Sequence, residues 1–90
     1  MKIEVLEHSV GALELALITA RDGNPNSVTD AGVGAACALA AAEGASLNVR
    51  INLDGLEGDP AEITERQNEA LAKSREMGAA ILRIVDERLS

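Results

Sequence analysis

The 90-residue chain contains no Phe, Trp or Tyr, one His, one Cys and two Pro. With hydrophobic residues nevertheless at 47%, its core has to be built from Leu, Ile, Val, Met and a large share of Ala, and side chains this small imply backbones that approach closely. The missing aromatics remove the stacking platforms on which single-stranded nucleic acids are held. Eight Lys and Arg against fifteen Asp and Glu give a formal net charge of −7, which removes the basic clusters that drive binding to nucleic acid or an anionic membrane surface. Neither is expected as a partner. A lone Cys37 forms no intramolecular disulfide, so a secreted disulfide scaffold is excluded. One His and one Cys do not make an ordinary zinc site, and no metal is expected. The opening MKIEVLEHSV lacks the basic-then-apolar order of a signal peptide, and the Ala-rich run 31–45, interrupted by Glu43, reads as too weakly apolar to span a bilayer. A soluble, cytoplasmic chain forming one domain over residues 1–90 is the expectation. It is small enough for association to add usefully to its burial.

What is present is patterned mostly for helices. Ile3, Leu6, Val10, Leu13, Leu17 and Ala20 recur at three-and-four spacing, which predicts a helix over residues 3–21 stopped at Asp22-Gly23. Val5, Ala12, Leu15 and Ala16 add a second apolar flank, so this helix needs cover on more than one side. Ser27 is a good N-cap, with Asp30 three positions on to complete a capping box, and predicts a second helix over about 28–43. Gly32 and Gly34 would each cost that helix roughly 1 kcal/mol against Ala, which points to another backbone close by, and Gly44 marks its end or a kink. Asp59 as cap, Pro60 at the first helical position and Glu62 predict a third long helix. Its stripe is Ile63, Ala70, Leu71, Met77, Ile81, Leu82, Val85 and Leu89, and its charged face pairs Glu62 with Arg66 and Glu69 with Lys73.

The segment ASLNVRINL, residues 45–53, reads two ways. As a strand it alternates Leu47, Val49, Ile51 and Leu53 with polar residues and leaves Asn48 and Asn52 in water. As a helix it sets the same two amides one turn apart, between the apolar ridges and pointing into the protein. There they require either a closed hydrogen-bond network or a polar ligand.

The run GNPNSVTDAGVGAACALAAAEGASLNVRINL, residues 23–53, with Gly23-Asn24, Asp30 and the sequence Asn48-Val49-Arg50-Ile51-Asn52-Leu53, resembles the cyclodeaminase/cyclohydrolase family of one-carbon folate metabolism. That family includes the cyclodeaminase domain of formiminotransferase-cyclodeaminase and bacterial methenyltetrahydrofolate cyclohydrolases. The resemblance covers nearly the whole chain and is to the C-terminal half of a longer family domain. It implies an all-α bundle of three long helices and one short one, half of a cyclodeaminase-type domain, completed by a second copy of the chain or by a partner supplying the other half. It also implies a tetrahydrofolate derivative as substrate, with either closure of a formimino-folate or hydrolytic opening of the methenyl form as the reaction.

Asn24, Asp30, Asn48 and Asn52 are the residues the resemblance points to for holding substrate, and no catalytic residue is assigned. Each has a plainer reading. Asp30 is spaced as a capping-box carboxylate, Asn24 and Asn26 flank Pro25 as turn formers, and Asn48 with Asn52 suits an internal network. His8 reads as a packed or interfacial histidine, and Cys37 as a small core residue. Gly32 to Gly34 is too short for a dinucleotide fingerprint and follows no strand. Two functions of different kind therefore stand open, a folate-handling domain and a non-catalytic helical oligomerisation or regulatory module on the same scaffold.

Overall fold

The structure is a computed structural model that describes residues 3–55 and 57–90, with side chains from Glu7 onward. The side chains of Ile3, Val5 and Leu6, expected on the apolar faces of the first helix, lie outside the described residues. Three helices, α1 (Ile3–Asp22), α2 (Pro25–Ile51) and α3 (Pro60–Leu89), form an all-α bundle with a 3₁₀ turn at Leu53–Gly55, and no strand occurs among the described residues. Each helix touches the other two, in a rod of 46 × 16 × 16 Å.

The helices begin and end where backbone chemistry dictates. Gly23 donates its N–H to the Thr19 carbonyl at 2.7 Å and closes α1 as expected. Arg88, from the far end of α3, covers the same terminus by donating from Nη1 to the carbonyls of Gly23 at 2.6 Å, Ala20 at 3.1 Å and Arg21 at 3.4 Å. A cation on unpaired carbonyls at a helix C-terminus satisfies both their lone pairs and the helix dipole. Asp59 caps α3 with its carboxylate accepting from Ala61 N–H at 3.1 Å, and Pro60 follows at the first position.

Helix α2 departs from expectation at both ends. It starts at Pro25, because the Asn24 side chain accepts from Ser27 N–H at 2.9 Å and Pro is pre-shaped for the first helical position. Ser27 is therefore not the cap and Asp30 does not complete a box. At the other end α2 runs through Gly44 to Ile51, so the short fourth helix is its continuation. Glycine weakens a helix without forbidding it, and α2 is tied to α3 on both sides of Gly44, by Glu43 with Arg75 and by Ser46 with Gln67.

The core has two adjoining parts. Leu13, Ala20, Val28, Ala31, Ala35, Ile81 and Val85 make the first, and Ala42, Ala45, Ala70 and Leu71, with Val10 against them, the second. Close approach falls at two glycines. A Cβ on Gly32 would meet Val85 Cγ1 at 3.3 Å, and one on Gly78 would meet Leu39 Cδ2 at 3.1 Å. Gly34, expected to serve likewise, faces open space. Leu82 and Leu89 of the expected α3 stripe are exposed, while Gln67 and Ser74 are buried in it.

Among the described residues the charged pairs on the surface link helices and do not run along one. Arg66 meets Glu7 of α1 at 2.7 Å, and Arg75 grips Glu43 of α2 through Nε at 2.6 Å and Nη2 at 2.7 Å. The hydrogen bonds from Arg75 hold the Glu43 carboxyl below its ordinary value. A group whose folded pKa is lowered contributes stability above its unfolded pKa and loses it as pH falls through the folded one. An NMR carboxyl titration is therefore expected to give Glu43 a midpoint below the ordinary glutamate value, and Arg75→Gln to raise it.

Gly23 is required by space. A Cβ there would lie 2.6 Å from the Thr19 carbonyl oxygen and 2.9 Å from Ser27 Cβ, whereas Gly11 in mid-α1 has nothing within 4 Å. Gly23→Ala is expected to destabilise the chain by about 1–3 kcal/mol through overpacking, and Gly11→Ala to stabilise it by about 0.5–1 kcal/mol through helix propensity. Thermal unfolding followed by circular dichroism distinguishes the two.

Candidate functional site

Helix α2 carries apolar residues on two faces. Its inner stripe, Val28, Ala31, Ala35, Ala42, Ala45 and Val49, is buried against α1 and α3. Its outer stripe, Val33, Cys37, Ala40, Gly44, Leu47 and Ile51, repeats the same three-and-four spacing and faces outward, with Val33 61%, Leu47 54% and Ile51 79% exposed. Cys37 is accordingly exposed and not a core residue. With 18 residues at a mean hydropathy of 1.2, α2 is long and apolar enough to cross a membrane by length and composition. The run 31–45, expected to be too weakly apolar, is short rather than polar, and the continuation of the helix to Ile51 supplies the missing length. The core helix of a soluble protein passes the same test, and 33% of the window is buried here.

Beside the outer stripe, between α1 and α2, lies an open groove of about 390 Å³ lined by Ala12, Ala16, Thr19, Ser27, Asp30, Ala31 and Gly34. Its walls are apolar or hydroxylic and Asp30 is its one ionisable group. Freed from capping, the Asp30 carboxylate is exposed and available to accept hydrogen bonds or exchange a proton. Thr19 Oγ1 and Thr29 Oγ1 are turned back onto their own helices, bonding Leu15 O at 3.2 Å and Pro25 O at 3.0 Å. His8 is exposed on α1.

The other expected site residues are not gathered there. Asn24 has its amide oxygen committed to the α2 N-terminus. Residues 47–51 are helical, so the strand reading falls, yet Asn48 and Asn52 are exposed and do not point inward. The inward positions of this stretch are taken by Ala45, Ser46 and Val49, which rotates both amides to the edge of the outer stripe. Asn52 ends the helix, its N–H and Nδ2 bonding the Asn48 carbonyl at 3.1 Å and 2.9 Å. Asp30 and Asn48 stand 18 residues apart, which along a helix is five turns or about 27 Å. Within one chain they do not form a cluster.

Sequence reasoning missed the buried polar contact between α2 and α3. Ser46 Oγ donates to Gln67 Oε1 at 2.5 Å, Gln67 Nε2 donates to Asn68 Oδ1, and Ser74 Oγ returns to Ala70 O at 2.9 Å. Gln67 and Ser74, seven residues apart on α3, are the signal that could have revealed it. A second cavity of about 260 Å³ between α1 and α3 is lined by Glu7, Val10, Arg66, Glu69, Ala70 and Lys73, where charges of both signs balance. Among the described residues no group of three or more His, Cys, Asp or Glu is placed to hold a metal ion.

The architecture is a small all-α bundle with an acid-bearing groove on its small-residue helix. Residues 1–83 match the family model described as formiminotransferase-cyclodeaminase, and the chain belongs to that family, a folate-related one. Neither a curated protein nor a solved structure matches the chain.

Because Gln67 is buried, removing its donor leaves an acceptor without water. Ser46→Ala is expected to lower stability by about 1–3 kcal/mol, and Ser46→Ala combined with Gln67→Leu to recover part of the loss in denaturant unfolding.

Proposed function

We propose that the chain handles a tetrahydrofolate derivative as a cyclodeaminase-like or methenyltetrahydrofolate cyclohydrolase-like domain. The observation that carries this reading is the family match over residues 1–83, and the groove containing Asp30 supplies a place for the chemistry. Closing a formimino-folate with loss of ammonia requires a proton delivered to the leaving nitrogen. Opening the methenyl form requires a proton removed from the attacking water. A single carboxylate can serve either step, and the small residues around it leave room for a flat heterocycle against the helix. Asn48 and Asn52 offer amide donors and acceptors suited to a pteridine edge.

The separation of Asp30 from Asn48 and Asn52 along α2 favours a second reading for a chain acting alone, that of a non-catalytic oligomerisation or regulatory module. Incubating the purified chain with methenyltetrahydrofolate and following its near-ultraviolet absorbance separates the two, since a protein without Trp or Tyr adds almost no background. The folate reading expects turnover that Asp30→Asn slows by about 10²–10⁴-fold. Neither binding nor turnover by the intact chain would leave the module reading standing.

A further inference from the structure

We propose that Arg88 is a positioning residue for the Asp30 groove: from the last turn of α3 it clasps the turn between α1 and α2, and so holds the end wall that Thr19 and Ser27 give that groove. The ligand is taken from the folate reading, on which that part of the proposal rests. The clasp itself needs no ligand.

Few contacts separate Arg88 from the groove. Thr19 lines it from the end of α1, and Ser27 and Asp30 from the start of α2, so its end wall stands where the chain passes from one helix to the other. Only Gly23 and Asn24 lie between Asp22 and Pro25. Gly23 packs against both wall residues: a Cβ in place of one of its α-hydrogens would stand 2.9 Å from Ser27 Cβ and 3.3 Å from Thr19 Cγ2. Its N–H also bonds the Thr19 carbonyl at 2.7 Å. Arg88 holds the same residue by its other polar group, since its shortest bond, Nη1 to the Gly23 carbonyl at 2.6 Å, is closer than those to Ala20 at 3.1 Å and Arg21 at 3.4 Å. The cation therefore grips the turn as well as the helix end. Asn24, next along, receives Ser27 N–H on its side chain at 2.9 Å and Val28 N–H on its carbonyl at 2.8 Å, so the first turn of α2, and Asp30 with it, inherits the placement of Gly23.

Three features distinguish this clasp from an ordinary cap. Arg88 belongs to α3, which gives the groove none of its lining, so the contact ties a third helix to a wall made by the other two. Its guanidinium is also spent on carbonyls. Asp86 and Glu87 are its neighbours in sequence and Asp22 ends α1, yet among the described residues no carboxylate pairs with it. A cation bonded to several carbonyls at the negative end of a helix dipole holds them more firmly than a neutral donor does. Finally, Arg88 lies beyond the residues 1–83 that match the family model, and the clasp is read from the contacts of this chain alone. Because Arg88 is exposed and belongs to neither core cluster, its loss is expected to leave the bundle folded while residues 22–24 swing and the end wall opens.

Nuclear magnetic resonance on the whole chain tests the clasp without ligand. In the wild type the Nη protons of Arg88 are expected as resolved, slowly exchanging signals, unlike those of exposed Arg83, which has no ion pair among the described residues. Averaged signals for both overturn the clasp with no substitution made. Arg88→Gln, checked for retained helicity, is expected to weaken the Overhauser contacts from the Gly23 α-protons to the Thr19 methyl and the Ser27 β-protons. It is also expected to speed exchange of the Gly23, Ser27 and Val28 amides by about ten-fold, while Val49 and Leu71 towards the opposite end of the bundle keep their rates. Arg83→Gln removes an equal charge from the same helix and is expected to change none of these. Unaltered contacts, exchange raised equally throughout the chain, or the same effects from Arg83→Gln overturn the proposal.

Methenyltetrahydrofolate then tests the groove. Arg88 touches no reacting atom, so Arg88→Gln is expected to weaken binding about ten-fold, read as KM or Kd, with kcat kept within about two-fold, the split that marks lost positioning of the ligand and not lost chemistry. Wild-type affinity in a variant whose turn has loosened, or a kcat that falls as far as in Asp30→Asn, overturns the positioning role. A wild type that neither binds nor converts this folate, with the turn loosening as expected in Arg88→Gln, defeats the folate reading and leaves the clasp standing.

Discussion

The close seating of α2 against α3, at Gly32 under Val85 and Gly78 under Leu39, is the constraint on which the remaining structure depends. A chain without aromatics has no large side chain to span a wide gap between helices, so its core closes only if the backbones come near. Alanine dominates the buried face of α2 for that reason. Two consequences follow. The interface tolerates little added volume, and α2 is left narrow, with its opposite side bare.

That bareness gives the site its character. A helix serving only one core would carry polar residues on its outer side, but α2 repeats its apolar pattern there from Val33 to Ile51. Polar groups are pushed to the edges: Asp30, Asn48 and Asn52 along one, Glu43 and Arg50 towards the other. The groove with Asp30 is thus a by-product of how α1 and α2 meet. Its chemistry comes from a carboxylate that capping does not use, because Asn24 and Pro25 already open the helix. One local choice of cap at the start of α2 decides whether the groove holds an available acid.

Helices α1 and α3 were legible in the sequence because each has a wet side and marked ends, Gly23 for one and Asp59-Pro60 for the other. The bounds of α2 were not. Ser27 looks the better cap until Asn24 is allowed to stand before a proline, and Gly44 looks like a stop until the bonds at Glu43 and Ser46 on either side of it are known. The segment 45–53 carries both periods and only the resemblance implies its helical state, while Asn48 and Asn52 stand out as unusual residues in the sequence itself. Their direction does not, since a helix apolar on two faces gives no pattern from which its rotation can be read. The exposure of Cys37 is hidden for the same reason, and the contact of Ser46 with Gln67 shows in the sequence only as the heptad spacing of Gln67 and Ser74 within the α3 stripe.

Two environments could satisfy the outer stripe, hydrocarbon or protein, and the structure weighs against the first. Inserting α2 in a bilayer would carry Glu43 with it, and Glu43 is held by Arg75 of α3, so the charged faces of α3 would follow or the pair would be broken in a medium of low dielectric. The same step would strip α2 from α1 and α3, exposing Leu13, Ile81 and Val85, all buried now. Covering the stripe with another helix of small residues asks for none of this. It leaves the α3 pairing intact and keeps Asp30 and Arg50 at the two opposite edges of the stripe, where water still reaches them. It also uses the narrow profile that the lack of aromatics imposes. The small side chains that make the inner core possible are therefore also what keeps the outer face of α2 narrow and smooth from Val33 to Ile51.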